Sequence, residues 1–217
     1  MTLSLNQLLQ IFMKSAKIRE TLVGWTTSCM KITSTTTPGE LERINKSLKK
    51  KFQGKQLIFG SGSVPAKVVF VTEIPGPNEA KESRPLTGHP EKLFHQVLKS
   101  IGIDKKKIYI TNVVKYSPAP GKVLSSKEIK SHVPFLKEEI KTLNPMVVVT
   151  LGTVALNGIG LRQPLDNVHG RTFNFGSYEL VPTFHPSHAV SNPQIRAHME
   201  ADLAKLKELL KKPVVEK

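Results

Sequence analysis

Only one cysteine, Cys29, occurs in the 217 residues, which excludes an intrachain disulfide and any metal site built mainly on thiolates. A reducing compartment is therefore expected. Aromatic residues are also scarce, at 6%, too few for an extended base-stacking platform. Acids are outnumbered, with 17 Asp and Glu against 32 Lys and Arg and a net charge of +15. Such a surface attracts polyanions, and nucleic acid is the leading candidate. Ribosomal and membrane-surface proteins share this balance, so charge alone does not choose among them. Runs such as Met146 to Leu151 fall far short of the ~20 apolar residues of a membrane span, and no association with a membrane is expected. Leu3 to Met13 is broken by Asn6, Gln7 and Gln10 with no small-residue cleavage site after it, so no secretory leader is expected. Glu20 is the only acid before Glu40, which leaves a mitochondrial presequence open.

Residues 1–60 read as a basic helical extension, with Leu5, Leu8, Leu9, Ile11, Phe12, Ile18 and Leu22 at mostly helical spacing. Thr37-Pro38-Gly39-Glu40 is a capping-box pattern with proline at the first helical position, ahead of Leu41, Ile44, Leu48 and Phe52. Gly60-Ser61-Gly62-Ser63 reads as a linker into an α/β domain over residues 61–217. There the pattern alternates. Strands are expected at Val68 to Val71, Lys107 to Val114, Met146 to Leu151, Arg171 to Phe175 and Tyr178 to Phe184. Helices are expected at Glu91 to Ile101, from Ser125 or Ser126 to about Leu143, from Gly152 toward Gly160, and from Pro193 to Leu210. Pro75 to Pro90, with four prolines, reads as a long loop. This order predicts a three-layer α/β/α fold around a mostly parallel sheet of four to five strands, with the N-terminal helical extension added.

Ligands of such sheets bind beyond the carboxyl ends of the strands. Each exit here carries polar or turn-forming residues: Thr72-Glu73-Ile74-Pro75-Gly76, Thr111-Asn112, Gly152-Thr153 and Phe184-His185-Pro186-Ser187. Arg84-Pro85-Leu86-Thr87-Gly88 is a further rigid segment beside them. Taken singly, Pro-Gly is a turn, a strand-end Asn a cap, and a His before Pro a structural residue. Their joint occurrence at successive exits is what points to a site. Neither a GxGxxG after the first strand nor a GxxxxGKS/T occurs, which removes dinucleotide and P-loop readings. His132, His169, His185, His188 and His198 lack metal-ligand spacing, so no metal site is expected. No GxSxG elbow is present.

The stretches Val69-Phe-Val-Thr-Glu73-Ile-Pro-Gly76, Lys107-Ile-Tyr-Ile-Thr-Asn112-Val-Val-Lys115, Asn144-Pro-Met-Val-Val-Val-Thr-Leu-Gly152-Thr-Val-Ala155 and Val181-Pro-Thr-Phe-His185-Pro-Ser187 resemble, in order, four motifs of the uracil-DNA glycosylase superfamily. They are closest to its iron-sulfur family 4 branch. The resemblance covers roughly residues 67–210 and implies a monofunctional hydrolase that flips uracil out of single- or double-stranded DNA and cleaves its N-glycosidic bond, initiating base excision repair. Extrusion costs a few kcal/mol, repaid by base and phosphate contacts.

On this likeness Asn112, His185 and Glu73 are the catalytic set. Asn112 reads the uracil edge, and a neutral His185 donates to O2 as negative charge develops there, worth about 3 kcal/mol for a well-placed donor. Thr72, Ile74, Pro75, Gly76, Leu86 and Asn112 form the base pocket, with Glu73 orienting the loop. Gly152, Thr153, Pro186, Ser187, His188 and Ala189 are expected to meet DNA. The protein is expected to act as a monomer in the cytoplasm or on the nucleoid, with nuclear and mitochondrial placement left open.

Departures from the branch are specific. Two of its four cluster cysteines correspond to Tyr116 and His132, so no iron-sulfur cofactor is expected. The phenylalanine that stacks on uracil corresponds to Leu86, an Asn to Gly121, the first-motif Gly to Thr72, and the wedge leucine to Ala189, with Val190 beside it. Ile74 stands in place of the family 1 aspartate, leaving the water-activating group open among Glu73, a backbone-held water and the DNA phosphates. The alternative is a DNA-binding relative with altered base specificity or lost catalysis, and a basic RNA-associated protein of the same fold is a third reading.

Overall fold

Runs rich in β-branched residues make the central strands, and the side chains of each alternate between two buried faces. In the computed structural model, which describes residues 38–211, the elements run α1 (Pro38–Lys51), β1 (Ser61–Gly62), β2 (Val68–Thr72), α2 (Pro77–Glu82), α3 (Gly88–Ser100), β3 (Ile108–Asn112), α4 (Ser126–Leu143) and β4 (Val147–Leu151). They continue with α5 (Thr153–Ile159), α6 (Leu165–Val168), β5 (Phe173–Asn174), β6 (Glu179–Thr183), α7 (Pro186–Ser191), α8 (Pro193–Ala204) and α9 (Leu206–Leu209). The apolar stripe from Leu5 to Leu22, Cys29 and the cap residue Thr37 lie outside the described residues.

The sheet has six strands in the order β1-β3-β2-β4-β6-β5. Its four central strands are parallel, and β1 and β5 add antiparallel edges. Sequence reading expected four to five strands. The difference lies mainly in Ser61-Gly62, read as linker, which pairs Ser61 with Ile110 and Gly62 with Tyr109; a two-residue strand has no alternation to detect.

Val68, Phe70, Val147 and Val149 face one core with Leu93, Phe94, Val97 and Leu98 of α3 and Met199 and Leu203 of α8. Phe70 and Phe94 meet edge to face, centroids 4.8 Å apart. Val69, Val71 and Val148 face the other core with Leu41, Ile44 and Leu48 of α1 and Leu136, Ile140 and Leu143 of α4. Helix α1 therefore folds with the α/β layers, although sequence reading grouped residues up to 60 with the extension. α4 begins at the expected Ser125, whose hydroxyl accepts from the Glu128 N–H while Glu128 accepts from the Ser125 N–H, a reciprocal capping box.

A buried polar cluster ties β3 to α4. Glu139, on α4, accepts hydrogen bonds from Tyr109 (3.0 Å) and Thr111 (2.9 Å) and pairs with the Lys115 ammonium at 2.6 Å. Lys115 also donates to the Thr111 hydroxyl at 2.5 Å, and its side chain is 1% exposed. Burial, and then the charge of Glu139, push the Tyr109 phenol well above its ordinary range.

Removing one partner of a buried pair leaves an uncompensated charge. Lys115→Met is expected to lower unfolding stability in urea by about 3–5 kcal/mol. Adding Glu139→Gln, which keeps an acceptor for Tyr109 and Thr111, should recover more than half of that loss. Equal losses in the single and double variants would contradict the assignment.

Candidate active site

All four parallel strands end at the same edge of the sheet, and the segments leaving β2 and β6 meet there with the Arg84 to Gly88 loop. They enclose a cavity of about 310 Å³ lined by Thr72, Ile74, Pro75 and Gly76, by Leu86 and Thr87, by Glu79, and by His185 and Ser187. Of the expected site residues, these exits bring Thr72, Ile74, Pro75, Gly76, Leu86, His185 and Ser187 together.

Asn112 sits directly behind this wall. Parallel register sets it opposite Thr72, whose hydroxyl donates to Asn112 Oδ1 at 2.7 Å. Both residues are buried, and Asn112 Nδ2 has no hydrogen-bond partner among the described residues. An amide donor held out of water without an acceptor costs stability, and Asn112 itself does not line the cavity.

His185 caps α7. The Ser187 N–H donates to His185 Nδ1 at 3.3 Å, and the Ser187 hydroxyl lies 2.8 Å from the same nitrogen. A backbone N–H only donates, so Nδ1 carries no proton, and the neutral ring bears its proton on Nε2. Burial, and then the charge of His188, lower its pKa to about 4, with Glu79 opposing. The ring is therefore a neutral donor at ordinary pH. The exit that carries it is tied to α8, since Asp202 accepts from the Thr183 hydroxyl (2.8 Å) and lies 3.0 Å from His169 Nδ1.

Glu73 is held elsewhere. Its carboxylate accepts from the Val154 N–H at 2.8 Å at the start of α5 and does not line the cavity. Desolvation raises its pKa, against the Val154 hydrogen bond and the charge of His188. Gly152 makes this contact feasible: its φ is +97°, and a Cβ there would come within 2.5 Å of Glu73 Oε1, so only glycine fits. With this carboxylate at the α5 N-terminus, Gly152 and Thr153 stand apart from the cavity. Ala189, expected at the DNA, is buried in the core with Pro186, whereas Val190 beside it is 49% exposed. Ser187 and His188 face solvent on α7.

Sequence reading missed Glu79. The expected loop from Pro75 to Pro90 contains α2, and Glu79 accepts from the Gly76 N–H (3.0 Å), the Thr87 N–H (3.2 Å) and the Thr87 hydroxyl (2.8 Å). It thereby joins both loops of the cavity. The signal was the order Gly76-Pro77-x-Glu79, an N-cap, an N1 proline and an N3 acid. Arg84 secures the second loop by pairing with Glu82 (2.6 Å) and Glu91 (2.8 Å).

At the two positions that the resemblance matches to cluster cysteines, the rings of Tyr116 and His132 pack with Phe52. Phe52 stacks on His132 at 4.0 Å and 5°, and Tyr116 lies 5.2 Å from His132. Neither His132 nitrogen has a partner among the described residues, and burial, followed by the charges of Lys115 and Lys51, lowers its pKa to about 4. With one cysteine in the sequence and these rings in mutual contact, the residues present do not fit a four-thiolate cluster. Among the described residues no three His, Cys, Asp or Glu side chains converge as metal ligands.

An α/β protein with a parallel central sheet and a cavity at its strand exits, lined by a neutral imidazole donor and backed by an unpartnered amide, is the class this geometry defines. The chain belongs to the uracil-DNA glycosylase superfamily, whose family model matches residues 59–209. It is similar to the type-4 uracil-DNA glycosylase of Sulfurisphaera tokodaii, 34% identical over 160 residues covering 69% of this chain and 73% of that one. The type-4 uracil-DNA glycosylase of Thermotoga maritima is 33% identical over 161 residues, 72% of this chain and 84% of its own. That of Saccharolobus solfataricus is 31% identical over 186 residues, 81% and 86%.

The two lowered histidine pKa values set a pH dependence. An unfolded histidine takes up its proton near 6.5, whereas His132 and His185 do so near 4 when folded. Between those values the unfolded chain binds more protons, so this stability is fully present above about pH 6.5 and is lost as pH falls through about 4. NMR titration should give both midpoints near 4, with urea midpoints lower at about pH 5 than at about pH 7. Midpoints near 6.5 would contradict the burial.

Proposed function

We propose that this protein excises uracil from DNA by hydrolysing the N-glycosidic bond, leaving an intact abasic site. The observation that carries the reading is the Ser187 N–H on His185 Nδ1, which leaves the ring proton on Nε2 in the wall of a cavity backed by the Asn112 amide. As the C1′–N1 bond breaks, its electron pair leaves with the base and is delocalised onto O2 and O4. A neutral donor at O2 stabilises that anion more than the ground state, which is what accelerates the step. Asn112 donates through Nδ2 to O4 and accepts N3–H on the lone pair of Oδ1 that Thr72 leaves free. Water adds to C1′ of the oxocarbenium-like sugar, its oxygen bonding to carbon and its proton leaving to solvent.

Glu73 acts in this reading as a positioning residue that holds the Ile74 to Gly76 loop against α5. No lysine lines the cavity, and Lys115, the lysine nearest Asn112 in the chain, is consumed by Glu139. This supports hydrolysis without an imine intermediate. We further propose that the activity needs no iron-sulfur cluster and that the protein works as a monomer on chromosomal DNA in the cytoplasm or nucleoid. Ser187, His188 and Val190 on the outer side of α7 are the proposed DNA contacts, and the +15 charge supplies the salt-sensitive part of binding. Leu86, aliphatic where the branch carries a ring, favours the second reading, in which base specificity is altered.

The test measures free base released from uracil-containing single- and double-stranded oligonucleotides, with alkali to reveal abasic sites. His185→Ala should lower release by roughly a hundredfold or more, without strand cleavage before alkali. Asn112→Asp should lower uracil release or admit cytosine. An inactive wild-type protein that still binds DNA tightly would transfer the assignment to the second reading.

A further inference from the structure

Helix α4 buries His132, Leu136, Glu139, Ile140 and Leu143, and the adjoining face of the same helix borders a cavity of about 510 Å³ against α5. Ile129, Val133 and Pro134 from α4 and Val154 from α5 give this groove an aliphatic floor, with Lys130, Lys137 and Arg162 also lining it. It shares no lining residue with the cavity that holds His185. Beyond Lys137 it continues into a second hollow of about 350 Å³, where Ile140 and Ile159 lie near Lys141 and the stacked rings of Phe175 and Tyr178.

No aspartate or glutamate lines either hollow. None of Lys130, Lys137, Lys141 and Arg162 forms an ion pair among the described residues, although seven pairs of a lysine or arginine with a carboxylate occur elsewhere in them. The lined face of α4 runs from Ser126 to Lys141, about 22 Å at helical rise, enough to accommodate some four turns of a second helix. Pro134 lies inside α4 and has no N–H, so the Lys130 carbonyl loses its helical donor beside the groove.

We propose that the groove between α4 and α5 docks an acidic amphipathic helix from a partner protein. Apolar side chains at i, i+3 or i+4, and i+7 would lie on the aliphatic floor, and carboxylates on the flanks would meet the four cations. Charge complementarity names an acidic occupant, and the floor distinguishes a peptide from nucleic acid. A phosphate backbone draws nothing from isoleucine, valine and proline, and the single stacked pair of Phe175 and Tyr178 is too little for a base-stacking platform.

The test uses the full chain and fluorescence anisotropy at physiological salt. The probe is a synthetic peptide of about 16 residues with leucines on one helical face and glutamates elsewhere. A shuffled peptide of identical composition and a uracil-free DNA duplex are the comparisons. The ordered peptide should bind at least about tenfold more tightly than the shuffled one. Lys130→Glu with Lys137→Glu should weaken it by about tenfold, as should Val133→Asp, while the unfolding midpoint of the charge-reversed variant and its rate of base release stay unchanged. Equal binding of the two peptides, or an unchanged Kd in the charge-reversed variant, would overturn the proposal. So would a duplex that displaces the ordered peptide and loses affinity on the same reversals, which would make the groove a track for nucleic acid.

Discussion

Glu139 is the residue around which the exit of β3 is organised. A carboxylate at 4% exposure persists only when its lone pairs are used. Here the donors are Lys115, Tyr109 and Thr111, two on the strand and one just beyond it. Because side chains alternate across a sheet, holding Tyr109 and Thr111 toward α4 sends Ile110 and Asn112 to the opposite face. A one-residue slip in register would exchange them. The interaction on one side of β3 thus fixes the amide on the other, opposite the Thr72 hydroxyl that orients it. It also determines what Lys115 does: an ammonium paired with a carboxylate and a hydroxyl is neither a nucleophile nor a surface cation.

The other exits are secured in the same way. Glu73 ties the segment after β2 to the start of α5, Glu79 ties that segment to the Leu86 loop, and Asp202 ties Thr183 of β6 to α8. Three carboxylates close to the mouth are thereby occupied by backbone and hydroxyl donors. Acids so placed repel a polyanion, and engaging them in fixed hydrogen bonds gives loops the rigidity that a base pocket requires.

Much of this was legible in the sequence, for identifiable reasons. The central strands show as β-branched runs, α4 announces itself through Ser125 and Glu128, and the strand-exit rule gathers Thr72, Gly76, Leu86 and His185 without coordinates. What escaped was short or long-range. β1 has two residues and no period, while α2 hides among prolines that normally mark a loop. Glu73 stands in a motif that the sequence shows, but the hydrogen bond its carboxylate accepts from Val154, 81 residues away, is reported by no local pattern. Ala189 and Val190 are neighbours, and only the phase of a six-residue helix decides that the alanine is buried and the valine exposed. The stack of Phe52, His132 and Tyr116 needed the packing of α1 against α4.

The charge state of His185 brings these constraints together. A strongly basic protein attracts DNA whether or not its histidines are charged, so affinity does not require an imidazolium at the mouth. Stabilising a departing base anion requires a donor that keeps its proton, and an imidazole whose Nδ1 is committed to the Ser187 N–H offers one at Nε2. Burial and His188 disfavour a second proton, and Glu79, the one acid lining the cavity, favours it. Glu79 accepts from three donors on Gly76 and Thr87, which fixes its position between the two loops, and desolvation of the ring is the larger effect at His185. The carboxylate that shapes the cavity thus works against the neutrality of its histidine, and burial outweighs it. A change in loop geometry would alter fit and protonation together, because the same carboxylate mediates both.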